Sequence, residues 1–131
     1  ILKKSNKTSN AVAVINLILL MKGKTKLIII NKPEHFDELD KAKKNALMEF
    51  CNSLDKIESF NIRRSSYGLK HLFESKYRET LQDTFESSYI TNGQFKGAMI
   101  KAGFNVKEKN KTNWHFNVSE KSIKKILNRS S

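Results

Sequence analysis

Two stretches of the sequence carry side chains suited to one kind of chemistry, the recognition of a polyanion. In the first, Asn92-Gly-Gln94-Phe-Lys96-Gly-Ala-Met-Ile-Lys101, a helix would put Phe95, Ala98, Met99 and Ala102 on one side. Gln94, Gly97 and Lys101 would fall on the other, with Lys96 beside them. Carboxamides such as Asn92 and Gln94 pair with adenine edges, and ammonium groups neutralise phosphates. In the second stretch, Lys107, Lys109 and Lys111 project from a Lys/Asn-rich turn between two short apolar runs, 104–106 and 114–118. Arg63 and Arg64, just before Ser65 and Ser66, offer a further phosphate clamp. Gly97 lowers helix propensity by about 1 kcal/mol relative to Ala, which makes sense if a ligand or another helix approaches closely there.

Other chemistries find little support. His35, His71 and His115 lie far apart, and the His71-x-x-Glu74 pair lacks the further ligands a metal needs. Asp37, Glu38 and Asp40 read as a helix-opening cluster rather than a two-metal site. Cys51 is the single cysteine, sits in an apolar stripe and has no general-base partner. No Gly-rich Lys-Ser/Thr phosphate loop occurs. The expectation is no enzyme, no cofactor and no metal.

Charge points the same way as the two basic stretches. Among 131 residues, 25 Lys and Arg face 13 Asp and Glu, a formal charge of +12. Residues 1–32 and 93–131 carry +7 each, whereas 33–92 carry −2. Folding does not require such an excess, and a polyanionic partner offsets its self-repulsion. One cysteine excludes a disulfide framework and suits a reducing, cytoplasmic setting. No apolar run reaches the roughly 18 residues of a membrane span, so no membrane partner is expected. The chain starts at Ile1, which implies a preceding stretch; residues 3–21 superficially resemble a signal peptide, but no small-residue cleavage site follows.

The elements that must position these residues follow from caps and periodicity. Residues 11–22 form a short buried helix closed by Gly23, with a strand as the competing reading, and 27–30 form a buried strand. Pro33 opens a long amphipathic helix along Phe36, Leu39, Lys43, Leu47, Phe50, Leu54 and Ile57, broken near Asp40 and reaching about Glu58. Packing on its own core is preferred over a homodimer or partner seam. Ser65 or Ser66 caps a helix to Glu74, and a second runs from Tyr77 to Glu86. Tyr89 and Ile90 make a short strand, Thr91 or Asn92 caps a helix to Ala102, and Gly103 ends it. Two strands around the basic turn and a terminal helix from Ser119 complete the chain; Trp114 and Phe116 are core rather than base-stacking residues. The expected class is mainly α with a small β-hairpin (α+β), a winged helix-turn-helix. Its parts are a basic segment 1–32, an amphipathic helix 33–62 and a winged-helix domain 63–131.

The run from Phe95 to Phe104, with an aromatic strand ten residues on, resembles the winged helix that ends phage- and plasmid-type replicative primase-helicases. Ser66-Tyr-Gly-Leu-Lys-His-Leu-Phe-Glu74 with residues 89–104 is similar to small proteins of phages and mobile elements in low-GC Gram-positive bacteria. The resemblance spans about residues 64–119 and implies a freestanding nucleic-acid-binding or replisome-accessory protein. The expected function is transcription or replication control through nucleic acid, with DNA the expected form. Asn92 and Gln94 would face bases, and Lys96, Lys101, Lys107, Lys109, Lys111, Arg63 and Arg64 would hold phosphates. The alternative is a protein that docks on a host or phage replication or defence protein, such as a replication helicase or a CRISPR nuclease.

Overall fold

The computed structural model describes residues 30–81 and 88–128. The expectations for 11–22, for 27–29 and for 82–86 of the helix expected over Tyr77 to Glu86 lie outside the described residues.

Pro33, whose ring fixes φ and whose missing N–H no helix start requires, opens a 3-10 turn, Pro33–Glu38. Leu39 leaves it in extended conformation. Asp40, also extended, then caps helix α1 (Lys41–Asn52) by accepting from the Lys43 N–H at 2.8 Å. The expected helix to Glu58 is thus corrected at both ends: a 3-10 turn precedes Asp40, and α1 stops at Asn52. From Ser53 the backbone is claimed by another partner. Ile57 and Asn61 donate to the carbonyls of Asn117 and Phe116, both at 2.9 Å, and Ser119 donates to Asp55. Leu54 stays buried, while Ile57, assigned to the apolar stripe, is exposed.

Helix α2 (Ser66–Leu81) is continuous where two helices were expected, since no Gly or Pro interrupts the chain between Glu74 and Tyr77. Ser65 caps it through the Gly68 N–H. Residues 89–90, expected as a strand, instead carry the chain to helix α3 (Asn92–Lys101). Thr91 and Gln94 form a reciprocal capping box at its start. Gly103, at φ +92°, ends it in the left-handed region that only glycine enters at little cost. Helix α4 (Glu120–Asn128) starts from Ser119, whose hydroxyl accepts from Ser122 N–H.

The described chain is mainly helical. The expected hairpin amounts to one antiparallel bridge, Val106 with Phe116, and a Lys107 N–H to His115 carbonyl bond. On its other side, segment 114–118 bridges Ser65 and Lys56. Each pairing stops after one bridge because segment 114–118 is shared between two irregular neighbours. One cluster of buried side chains extends from Phe36 to Ile126, so 33–62 and 63–131 share a core. At its centre Phe50 stands edge-on to both Phe73 and Phe95, and Trp114 and Phe116 lie within it as expected.

Helix α3 is sandwiched between this core and residues 31–36: Asn31 and Lys32 pack directly on Gly93, and the 3-10 turn on Gly97. A Cβ on Gly97 would overlap the Pro33 carbonyl oxygen and come within 2.6 Å of Phe36 Cβ. One on Gly93 would overlap the Lys32 carbonyl oxygen. Gly97→Ala should therefore destabilise the protein by about 1–3 kcal/mol, despite Ala's better helix propensity, and lower the melting temperature by several degrees. A rise on thermal denaturation, as expected for a solvent-facing helical glycine, contradicts this packing.

Candidate nucleic-acid interface

The helix face expected to read bases is largely covered. Asn92 is buried, and its Nδ2 lies within hydrogen-bonding distance of Asn31 Oδ1, the Thr112 carbonyl and Asn113 Oδ1. Gln94 is half-buried with its side-chain oxygen held by the Thr91 N–H. Lys96 is 3% exposed: its Nζ donates to the Asn31 carbonyl at 3.1 Å and lies 4.5 Å from the centre of the Trp114 ring. The ligand that approaches Gly97 is the chain itself. Asn92 and Lys96 therefore act as fasteners between Asn31, α3 and segment 112–114, and their assignment as a base contact and a phosphate contact is corrected, whereas Gln94 serves the start of α3 through Thr91 and stays half-exposed. Arg64 is likewise engaged, in a two-pronged pair with Glu120 whose shortest separation is 2.7 Å.

Five of the expected contacts remain exposed: Arg63, Lys101, Lys107, Lys109 and Lys111. Lys101 lies at the far end of α3, nine residues from Asn92 and thus about 13 Å along the axis. There its Nζ is 5.5 Å from the centre of the Phe36 ring. Arg63 stands on the irregular segment before α2. The other three share the loop that closes the 106–116 bridge. A cavity of about 140 Å³ opens there, lined by Lys107, Glu108, Lys111, Asn113 and His115. It is a half-open surface depression in which Glu108 shares the lining with the two lysines. The Lys111 N–H donates to the Glu108 carbonyl, and Trp114 Nε1 to the Lys109 carbonyl, so core contacts pin the loop's backbone. His115 Nδ1 is buried without a hydrogen-bond partner.

A second surface feature escaped the sequence. Lys70 and Glu74, 2% exposed each, form a buried ion pair at 2.8 Å. Glu74 also accepts from the Ile90 N–H and contacts His71 at the His71-x-x-Glu74 spacing. The Lys70 ammonium lies against two exposed rings, 5.3 Å from the centre of Tyr67 and 4.7 Å from that of Tyr89. Burial, the Glu74 carboxylate and neighbouring Tyr67 push the Tyr89 phenol above its ordinary range. The available hint was the four-residue Lys70–Glu74 spacing, with each partner directly after an apolar residue, Leu69 and Phe73, a pattern that also describes any solvated helix pair.

Among the described residues no group of three or more His, Cys, Asp or Glu could hold a metal ion. None of the described helices is long and apolar enough to cross a membrane. Burial pushes the Cys51 thiol far up, which leaves it a core residue rather than a nucleophile. Compared with protein families, curated proteins and solved structures, the chain finds no match.

The Lys96 fastener has a pH signature. Burial lowers its ammonium from 10.5 to about 8. Between those two values the unfolded chain binds more protons than the folded one, so this group's contribution to stability rises with pH. Relative to Lys96→Met, the wild type should gain stability from pH 8 to pH 10.5 in denaturant titrations. A difference between the two that does not change across that window contradicts the buried ammonium.

Proposed function

We propose that this chain binds nucleic acid through its phosphates, with the 107–115 loop as the contact, and serves replication or transcription control in a phage or mobile element. The observation that carries this is the concentration of Lys107, Lys109 and Lys111, all exposed, on a loop whose one acid is Glu108. The order α2, α3, then a bridged loop supports a winged-helix arrangement, and the resemblance across about 64–119 supports the biological setting. Base reading by α3 is not part of the proposal, because Asn92 and Lys96 are buried and Gln94 is engaged in capping the helix. Specificity then comes from the shape or state of the nucleic acid rather than from a groove-reading helix.

A second reading has its own observation. Ile57, Phe60 and Ile62 are 40%, 38% and 65% exposed on the segment between α1 and α2, an apolar edge suited to docking on a replication or defence protein.

The test is binding to duplex and single-stranded oligonucleotides between about 50 and 200 mM salt. Affinity should fall steeply with salt. Replacing Lys107, Lys109 and Lys111 together by Glu should remove most of the affinity and flatten the slope by about 2–3, at roughly 0.7–0.9 per phosphate contact. Affinity indifferent to salt and to that triple change contradicts the proposal. In that case Phe60→Ser and Ile62→Ser, assayed against a purified partner, decide the docking reading.

A further inference from the structure

We propose that Tyr67 and Tyr89 form a stacking platform for the bases of a single strand, so that the nucleic acid bound by the loop lysines is unpaired. This rests on the nucleic-acid reading above and deepens it. Both rings are large, apolar and about half exposed, at 50% and 45%. An ordinary exposed tyrosine swings freely, but these two are held from beneath by one immobile charge. The Lys70 ammonium that both rings contact is fixed by the buried Glu74 carboxylate, which is itself anchored to the Ile90 N–H. Tyr67 is further fixed edge-on to His71, with ring centres 4.3 Å apart. The cost of ordering the rings is thus met during folding rather than on binding, which favours the bound state.

Placement ties this platform to the basic loop. Tyr67 follows Ser66, whose hydroxyl accepts from the Trp114 N–H and whose own N–H donates to the Trp114 carbonyl. Tyr89 lies three residues before Asn92, which bonds to Thr112 and Asn113. Both tyrosines therefore flank direct contacts to the returning limb of the loop that bears Lys107, Lys109 and Lys111. Lys43 adds a further cation by donating to the Tyr89 carbonyl at 3.2 Å. Aromatic platforms beside a cationic track suit single strands, whose bases expose their faces, whereas stacked duplex bases do not. The strongly basic composition favours a polyanion over an apolar protein partner on this patch.

The test uses the full chain with a labelled thymidine oligonucleotide and a duplex of equal length, read by fluorescence anisotropy, with circular dichroism to check folding. Tyr67→Ala and Tyr89→Ala should each weaken single-strand binding roughly tenfold and leave duplex binding unchanged, while Tyr67→Phe and Tyr89→Phe retain wild-type affinity. As a measurement that needs no variant, photocrosslinking of wild type to an iodouridine oligonucleotide should label Tyr67 or Tyr89. Alanine variants that bind single strands like wild type, with no crosslink at either tyrosine, overturn the platform and leave the patch to a protein partner. Phenylalanine variants as weak as the alanine ones overturn stacking as the cause. If the loop-lysine variant loses single-strand binding while the tyrosine variants keep it, the nucleic-acid reading survives and the platform falls. If wild type binds no nucleic acid at all, both fall.

Discussion

The close seat of residues 31–36 on helix α3 decides which surfaces of this protein are free. It exists because Gly93 and Gly97 have no side chains where the backbone of Lys32 and Pro33 passes. Phe36 can then enter the core, and Asn31 comes within reach of both Asn92 and Lys96. A stripe of glycine, asparagine and lysine on a short helix, which in isolation looks made for a ligand, is consumed by an intramolecular contact. The surfaces left free are the loop after α3 and the connection before it.

The interior of the fold uses charge in two different ways. Lys70 and Glu74 meet as a pair, with Glu74 further bonded to the chain entering α3, so a charged carboxylate replaces the backbone pairing that a strand at 89–90 would have supplied. Removing one partner of such a pair leaves an uncompensated buried charge, which costs about 3–5 kcal/mol in comparable cases. Lys96 has no carboxylate partner among its described contacts, only a carbonyl and the face of Trp114. Its ammonium is correspondingly easier to discharge, as its lowered pKa reflects. Near the surface, Glu120 is held down to about 2 by hydrogen bonds from Arg64 and Asn61, pinning the start of α4 to the segment before α2.

What the sequence made legible was local. Pro33 at a helical start, Asp40 at a break, a cap at Thr91 or Asn92, the Gly103 stop and the burial of Phe95, Ala98 and Met99 all follow from capping chemistry and helical spacing within a few residues. What it hid was set by contacts distant along the chain. Nothing near Gly97 announces that Pro33, 64 residues earlier, lies on it, and Lys96 looks like any surface lysine until Trp114 and Asn31 surround it. The apolar spacing through Leu54 and Ile57 likewise continued past the true end of α1, because periodicity cannot register that segment 114–119 competes for that backbone. Of the candidate site, the loop lysines were legible because consecutive alternating cations in a turn have nowhere to go but outward. The tyrosine pair was not, since its order depends on a buried cation that sequence alone places on the surface.

The most direct measurement is a backbone amide NMR titration of the protein with a short single-stranded oligonucleotide. With α3 covered by residues 31–36 and the loop free, the amides of residues 107–115 and those of Tyr67 and Tyr89 should shift progressively, while those of Gly93 and Gly97 stay in place. Shifts running along α3 at Gly93 and Gly97, with the 107–115 amides unmoved, would contradict the account.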